Sequence, residues 1–425
     1  MLNRSLSSIL VKFSIIAIFI MLVSASRVKA ADYEIVELAR VTEPLAVVQP
    51  PRDNLRLFVL ERNGSIRILQ RTSPNDPYKV LPEPFLDLSK LPGGLHKGVE
   101  SGALDLVLRP DFNTSGVFYA RYYKDNLYQD PEVGWRKLRD DVIIRGHVSS
   151  KDANRADIDS IREVINVPKA NTTHCGGWMG YSKAEVAKTK KFYLYASYGN
   201  DERKGEEQNG KNFYGKIIRI DLSPEYDEVP TGKPQYGIPK DNPFVSDDNV
   251  RDEIVHLGLR NPWRCSFDSL KGDLWIGDVG GSKKEEVNFV PAGKSGYNFQ
   301  WPILEGTVDG EKTDTARAAG EWIGPAYEFA NKVANSVICG YVYRGKQISS
   351  LNGQFFFTNY WGFQDGKYNG RFRTLNIETQ KEIETIDFPW GTANEISSFA
   401  EGQDGEIYLC EYKPDGRILK LVPKR

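Results

Sequence analysis

One recurring phrase limits the fold of this 425-residue chain more than any other feature. It runs as a Gly or Asn, a short apolar and aromatic segment, a turn, then a Gly and a strand alternating basic with apolar residues. Six stretches fit it: "NLRLFVLERNGSIRIL" from Asn54, "GVFYARYYKD" from Gly116, "KFYLYASYGND" from Lys191 with "GKIIRIDL" from Gly215, "GDLWIGDVGG" from Gly272, "GQFFFTNYWG" from Gly353 with "GRFRTLNI" from Gly370, and "GEIYLCEYKPDGRILKLV" from Gly405. Period-two alternation, as in Ile66-Arg67-Ile68, and an aromatic content of 12% predict half-buried antiparallel strands with Gly or Asn-Gly turns.

The phrases start near residues 54, 116, 191, 272, 353 and 405, wider apart than the roughly 40–50 residues of common propeller repeats. The excess is assigned to insertion loops at Asp125–Asp140, Asp201–Asn212, Pro224–Asn249 and Thr307–Ala334, with pocket walls as their expected job. Radial repetition of antiparallel sheets protects strand edges and leaves a central funnel, so the expected fold is all-β, a six-bladed β-propeller of four-stranded antiparallel blades. A two-sheet sandwich explains six similar phrases less well. No sustained helical period or Gly/Ser-rich linker marks a second domain, which gives one domain, 31–425.

Residues 1–30 combine Arg4 and Lys12, an apolar run from Phe13 to Val23, and Val28-Lys29-Ala30 as a small-residue cleavage site. This reads as a signal peptide, since the run is short of the roughly 20 residues that span a bilayer. The expected location is secreted or periplasmic, with membrane attachment only if the segment is uncleaved. Cleavage removes four basic residues, leaving 52 Lys and Arg against 57 Asp and Glu. No basic patch recommends nucleic acid. Export permits disulfides, and Cys175, Cys265, Cys339 and Cys410 allow two bridges in three connectivities.

His174, in "THCGGW", is the histidine singled out, because Gly176 and Gly177 after it permit close approach of a ligand or of another backbone. A neutral imidazole there suits a general base, and equally a hydrogen-bonded structural role. In "LGLRNPWRCSFD", Pro262 interrupts the ladder and favours an extended Asn261, so Arg260 and Asn261 can face the funnel. A fixed charged fork suits an anionic or quinoid ligand; it also suits a tie between two blades. Arg264, beyond the Pro, fits the structural role. Gly280 and Gly281, in "WIGDVGGSKKEEVNF", can offer carbonyl oxygens to calcium. No G-x-S-x-G, H-E-x-x-H, Walker loop or strand-flanked G-x-G-x-x-G occurs, so serine-nucleophile, zinc and dinucleotide chemistry lack support.

The run "GLRNPWRCSFDSLKGDLWIGDVGGSKKEEVNFVPAGKSGYNFQWPILEG", Gly258 to Gly306, closely resembles the glucose/sorbosone dehydrogenase family of six-bladed propellers, which includes soluble quinoprotein aldose sugar dehydrogenases. Further matches follow in family order, among them "GALDLVLRPDFNTSGVFYARYY" from Gly102, "HCGGWMGY" from His174, "IPKDNPF" from Ile238 and "SSFAEGQDGEIYL" from Ser397. The resemblance implies a funnel holding pyrroloquinoline quinone (PQQ) and calcium. It also implies His174 as the base that takes the C1 hydroxyl proton of an aldose, Arg260 and Asn261 facing the quinone oxygens, and Gly280 and Gly281 giving carbonyls to calcium. The implied partners are an aldose and an external electron acceptor.

The chain departs from the family pattern in three places. The acid expected to orient the base is replaced in "YGND" by Asn200, with Asp201 one residue later. "WGTANEISSF", Trp390 to Phe399, has none of the arginines that clamp the cofactor carboxylates, and Lys367 does not align with the fifth-blade lysine without a gap. Hedgehog-interacting relatives use the propeller for binding alone, which gives the alternative function: a non-catalytic extracellular propeller binding a glycan or protein.

Overall fold

The computed structural model describes residues 32–130, 134–230, 232–311, 315–316, 318–331, 334–364, 367–368, 371–387 and 395–424. The expected signal segment, 1–30, lies outside the described residues. Each of the six phrases falls on interior strands of a different β-sheet. The phrase from Asn54, for example, becomes strands Arg56–Glu61 and Ser65–Gln70, with Leu57 opposite Leu69 and Phe58 opposite Ile68.

Alternate residues of a strand project to opposite faces. Here both faces are apolar: Leu57, Val59 and Leu69 pack with Tyr408, Cys410 and Ile418 of one neighbouring sheet, while Phe58, Leu60, Ile66 and Ile68 pack with Leu106 and Phe118 of the other. The strands are therefore sandwiched rather than half-buried, because each sheet stands between two others. Each fully buried Leu, Ile or Phe contributes about 1.5–3 kcal/mol, and the core is a series of such layers between sheets.

Six strands line the axis: β1 (Pro44–Val48), β2 (Ala103–Leu108), β3 (Gly176–Gly180), β4 (Pro262–Phe267), β5 (Ala334–Val342) and β6 (Ile396–Glu401). Each is an edge strand of its own sheet and touches the next in order, with β6 returning to β1. The chain's first described strand, Tyr33–Val41, pairs with Gly416–Pro423 and completes the sheet that contains β6. The fold is thus an all-β propeller.

The expectation of like four-stranded blades needs correction. Among the described residues, five large sheets are antiparallel throughout, with four or five strands each. The sheet of β3 has six strands, because Tyr297–Asn298 and Glu321–Trp322 add to it in parallel. A two-stranded ladder, Leu304–Glu305 with Val308–Asp309, stands apart.

Two of the four expected insertions also differ. Asp125–Asp140 is not a loop: strands Val117–Asp130 and Gly134–Val148 continue through it as one long hairpin, paired as far as Asp130 and Gly134. Thr307–Ala334 supplies an outer strand, Tyr327–Ala330. The possible disulfides do not form: all four cysteines are free and buried, and burial pushes each thiol pKa up.

All six inner strands line an axial cavity of about 130 Å³. A second cavity, of about 330 Å³, is formed largely by residues at or before the starts of the inner strands, including Leu45, Glu100, Asn261, Trp263, Ser336 and Ser397. Arg264 binds across the axis, its Nη2 donating to the carbonyls of Leu45 and Leu104 at 3.0 Å each and its Nη1 to Trp263 O at 3.2 Å. Its guanidinium therefore joins β1, β2 and β4, as the structural expectation for Arg264 requires.

Candidate active site

His174 lies just before β3 with φ of 49°. The strand end Tyr198-Gly199-Asn200-Asp201 passes so close that a Cβ on Gly199 would come 2.0 Å from His174 O. Only glycine permits that approach. Asn200 N–H then donates to Arg260 O at 2.8 Å, which wedges this segment between the His174 and Arg260 loops.

The imidazole is held from both sides. Nδ1 is 2.7 Å from Asn200 Oδ1, and Nε2 is 2.9 Å from Arg260 Nη2. A guanidinium only donates, so Nε2 is the acceptor and Nδ1 carries the proton. Asn200 is oriented to match: its Oδ1 also accepts Glu202 N–H at 3.0 Å, and its Nδ2 donates to Glu207 Oε1. Burial, then the charge of Arg260, lowers the His174 pKa from 6.5. The ring is a neutral base with its lone pair on Nε2.

The Arg260-Asn261 segment is fixed by Asp278 at the end of strand Leu274–Asp278, whose two oxygens accept the backbone N–H groups of Arg260 (2.9 Å) and Asn261 (2.7 Å). Arg260 Nη1 donates to Val279 O at 2.9 Å, and its guanidinium carbon lies 5.4 Å from the Trp301 ring centroid. Asn261 lines the larger cavity, but its amide is spent on protein: Oδ1 accepts Gly176 N–H at 2.8 Å and Nδ2 donates to Glu100 Oε2 at 3.2 Å. It ties the Arg260 loop to the His174 loop.

Gly280 and Gly281 form a turn over Glu305, whose Oε1 accepts the N–H groups of Gly281, Ser282, Lys283 and Lys284 at 2.7–3.0 Å. In a trans peptide the carbonyl points opposite to the following N–H, so the carbonyls of Gly280 and Gly281 turn away from Glu305. A side chain is excluded at Gly280, where a Cβ would fall 1.6 Å from Lys284 O. Among the described residues no group of three or more His, Cys, Asp or Glu is placed to hold a metal ion. A cation at this turn therefore relies on backbone oxygens.

Several residues of the site escaped the sequence reading. Glu100 lines the cavity and accepts Cys175 N–H at 3.1 Å; burial raises its carboxyl pKa. Arg62 lines the same cavity and donates to Tyr412 Oη (2.5 Å), Ser101 O (3.1 Å) and the carbonyls of Gly98 and Val99. Glu207 stands behind Asn200 in the Asp201–Asn212 insertion. That insertion was expected to form a wall, which is the one signal that pointed to Glu207. The side chain of Lys367 and residues Trp390–Asn394 lie outside the described residues.

A neutral histidine paired with an arginine beside the funnel of an all-β propeller defines a candidate acid–base site. The chain belongs to the Glucose / Sorbosone dehydrogenase family, which it matches over residues 41–420. It is 26% identical to Hedgehog-interacting protein of Mus musculus, over 91% of this chain and 52% of that protein. The chain thus spans about half the length of that relative. It is 23% identical to "Aldose sugar dehydrogenase YliI" of Escherichia coli (strain K12) over 91% of both chains. The solved soluble aldose sugar dehydrogenase of Escherichia coli, in its apo form, superposes with a TM-score of 0.68 at 21% identity, covering 92% of this chain and 100% of that one. The PQQ-bound aldose sugar dehydrogenase of Streptomyces coelicolor gives 0.60 at 18% identity, over 92% and 98%. At these identities the structural likeness speaks for the fold.

Proposed function

We propose that this chain is an exported quinoprotein dehydrogenase that oxidises the C1 hydroxyl of an aldose to a lactone, with an external electron acceptor. Its frame is the all-β propeller, and the expected signal segment, residues 1–30, supports export to the periplasm or out of the cell. The observation that carries the reading is the tautomer of His174, a neutral ring presenting Nε2 and held by Asn200 and Arg260. When bound, PQQ would supply the two-electron acceptor that takes the sugar's hydride, with calcium polarising it.

The residues present fit such a group. Arg62 and Arg260 bring two guanidiniums to the funnel wall or beside it, where a polycarboxylate needs charge-assisted partners. Trp263, Tyr360 and Tyr412 give the cavity aromatic surface, and Gly280 and Gly281 give oxygen donors for calcium. Asn261 supports the wall by holding the two site loops together. His174 accepts the C1 hydroxyl proton at Nε2, which requires the Arg260 donor to yield that position. Arg260 then stabilises negative charge developing at the reacting centre. The family assignment and the similarity to a named aldose sugar dehydrogenase support this reading.

The second reading is a non-catalytic extracellular propeller that binds a glycan or a protein. Similarity to Hedgehog-interacting protein and the absence of arginine between Trp390 and Phe399 favour it. Aldose oxidation by the native chain separates the two, and His174→Ala tests the base. Under the dehydrogenase reading the folded variant loses about 10²–10⁴-fold in turnover, the usual worth of a general base. Undiminished turnover by a folded variant would remove His174 from the chemistry.

A further inference from the structure

The acid that would orient a catalytic histidine is missing at position 200, yet a carboxylate stands one side chain further back. Glu207 is fully buried, at 0% exposure. Its Oε1 accepts from Asn200 Nδ2 and, at 3.1 Å, from Trp301 Nε1, while its Oε2 has no hydrogen-bond partner. Burying a carboxylate is costly unless its acceptors are used, and Oε1 is used from two sides, by Asn200 and by Trp301. The loop carrying it is held by Lys216, whose buried Nζ donates to the carbonyls of Glu206 and Glu207 at 2.9 Å and of Tyr214 at 2.6 Å.

We infer that Glu207 is the positioning residue of the His174 base, acting through the Asn200 amide; this rests on the reading of His174 as a base. An amide can turn over and present either its oxygen or its NH₂ group. Glu207 can only accept when ionised, so it fixes the Asn200 NH₂ toward itself and leaves Oδ1 for His174 Nδ1–H. That choice keeps the proton off Nε2, where the substrate proton must arrive. Arg260 enforces the same tautomer while it donates to Nε2, but it must leave that position for substrate. From then on Glu207, together with the Glu202 N–H that donates to Asn200 Oδ1, holds the ring in its working form through Asn200. The same carboxylate also anchors Trp301, on which Arg260 rests, so Glu207 reaches both sides of the imidazole.

The test is the tautomer of His174 in ligand-free protein, read from imidazole ¹⁵N shifts above pH 7, with His174→Ala identifying its signals among the four histidines. In Arg260→Ala the Nδ1–H form should persist. In Arg260→Ala with Glu207→Met it should give way to a mixture or to Nε2–H, and adding Asn200→Asp, which can only accept, should restore Nδ1–H. Retention of Nδ1–H in the folded double variant overturns the inference, as does failure of Asn200→Asp to restore it. If Glu207→Met does not fold, the nearly isosteric Glu207→Gln serves in the same background. Gln can turn its own NH₂ toward Asn200, so mixed tautomers support the inference and a pure Nδ1–H signal overturns it. None of these measurements needs turnover, so their outcome is independent of whether the chain oxidises sugars.

Discussion

His174 meets two opposed demands: it must stay unprotonated to act as a base, yet it sits against a donor that occupies its lone pair. Burial and Arg260 both favour the neutral ring, so the folded-state pKa lies below 6.5. A histidine depressed in this way adds stability that is complete above 6.5 and is lost as pH falls through its folded pKa. The acidic limb of kcat/KM should accordingly fall below pH 6.5. Arg260→Ala removes the second of the two depressing causes and should move that limb upward while weakening cofactor binding. An unmoved limb together with unchanged cofactor affinity would refute the role given to Arg260. At this scale the sequence was informative about residues in motifs, and His174, Arg260 and Asn261 do converge. It was silent on Glu100, which joins the site through contacts to distant segments that no local pattern encodes, and it pointed to Glu207 only as part of an expected wall. It also left open the partner of His174, which the structure assigns to Asn200. Asp201 instead accepts Ala170 and Asn171 N–H and pairs with Arg203.

Among elements, the paired strands Leu274–Asp278 and Lys284–Val290 carry a buried electrostatic load. Their register places Asp278 opposite Glu286, two buried carboxyls across one ladder. Burial, and then the Asp278 carboxyl, holds the Glu286 pKa well above the usual range. An acid raised in the folded state contributes stability that is complete below its unfolded pKa of 4.5 and is lost as pH rises through the folded value. Glu286→Gln keeps an acceptor for Gly306 N–H, now at 2.6 Å, and removes the charge. Urea unfolding should therefore show the variant gaining on the order of 1 kcal/mol or more relative to the native chain between pH 5 and pH 8. An equal difference at both pH values would contradict this. Strand interiors were legible because period-two alternation and Gly turns are local signals. Strand ends were not: the Asp125–Asp140 segment is polar and reads as a loop, yet it continues a hairpin whose pairing lies across the ladder rather than along the chain.

For the whole molecule, the six phrases predicted a radial array, and the ring of inner strands with its funnel follows from it. The closure by Tyr33–Val41 against Gly416–Pro423 was not visible, since pairing between the two ends leaves no periodic mark. Nor were the parallel additions to the sheet of β3, two-residue strands of which only Glu321–Trp322 falls within an expected insertion. Arg62 lines the funnel cavity and Arg260 lies beside it, while the family's C-terminal arginines are absent from Trp390–Phe399, so cofactor binding is where the proposed function is most exposed. The most direct measurement is a titration of the calcium-loaded protein with PQQ, followed by visible absorbance before and after addition of a panel of aldoses. Saturable binding with aldose-dependent reduction of the bound quinone is the predicted result; a folded, calcium-loaded protein that binds no quinone would contradict the dehydrogenase function and leave the propeller as a binding module.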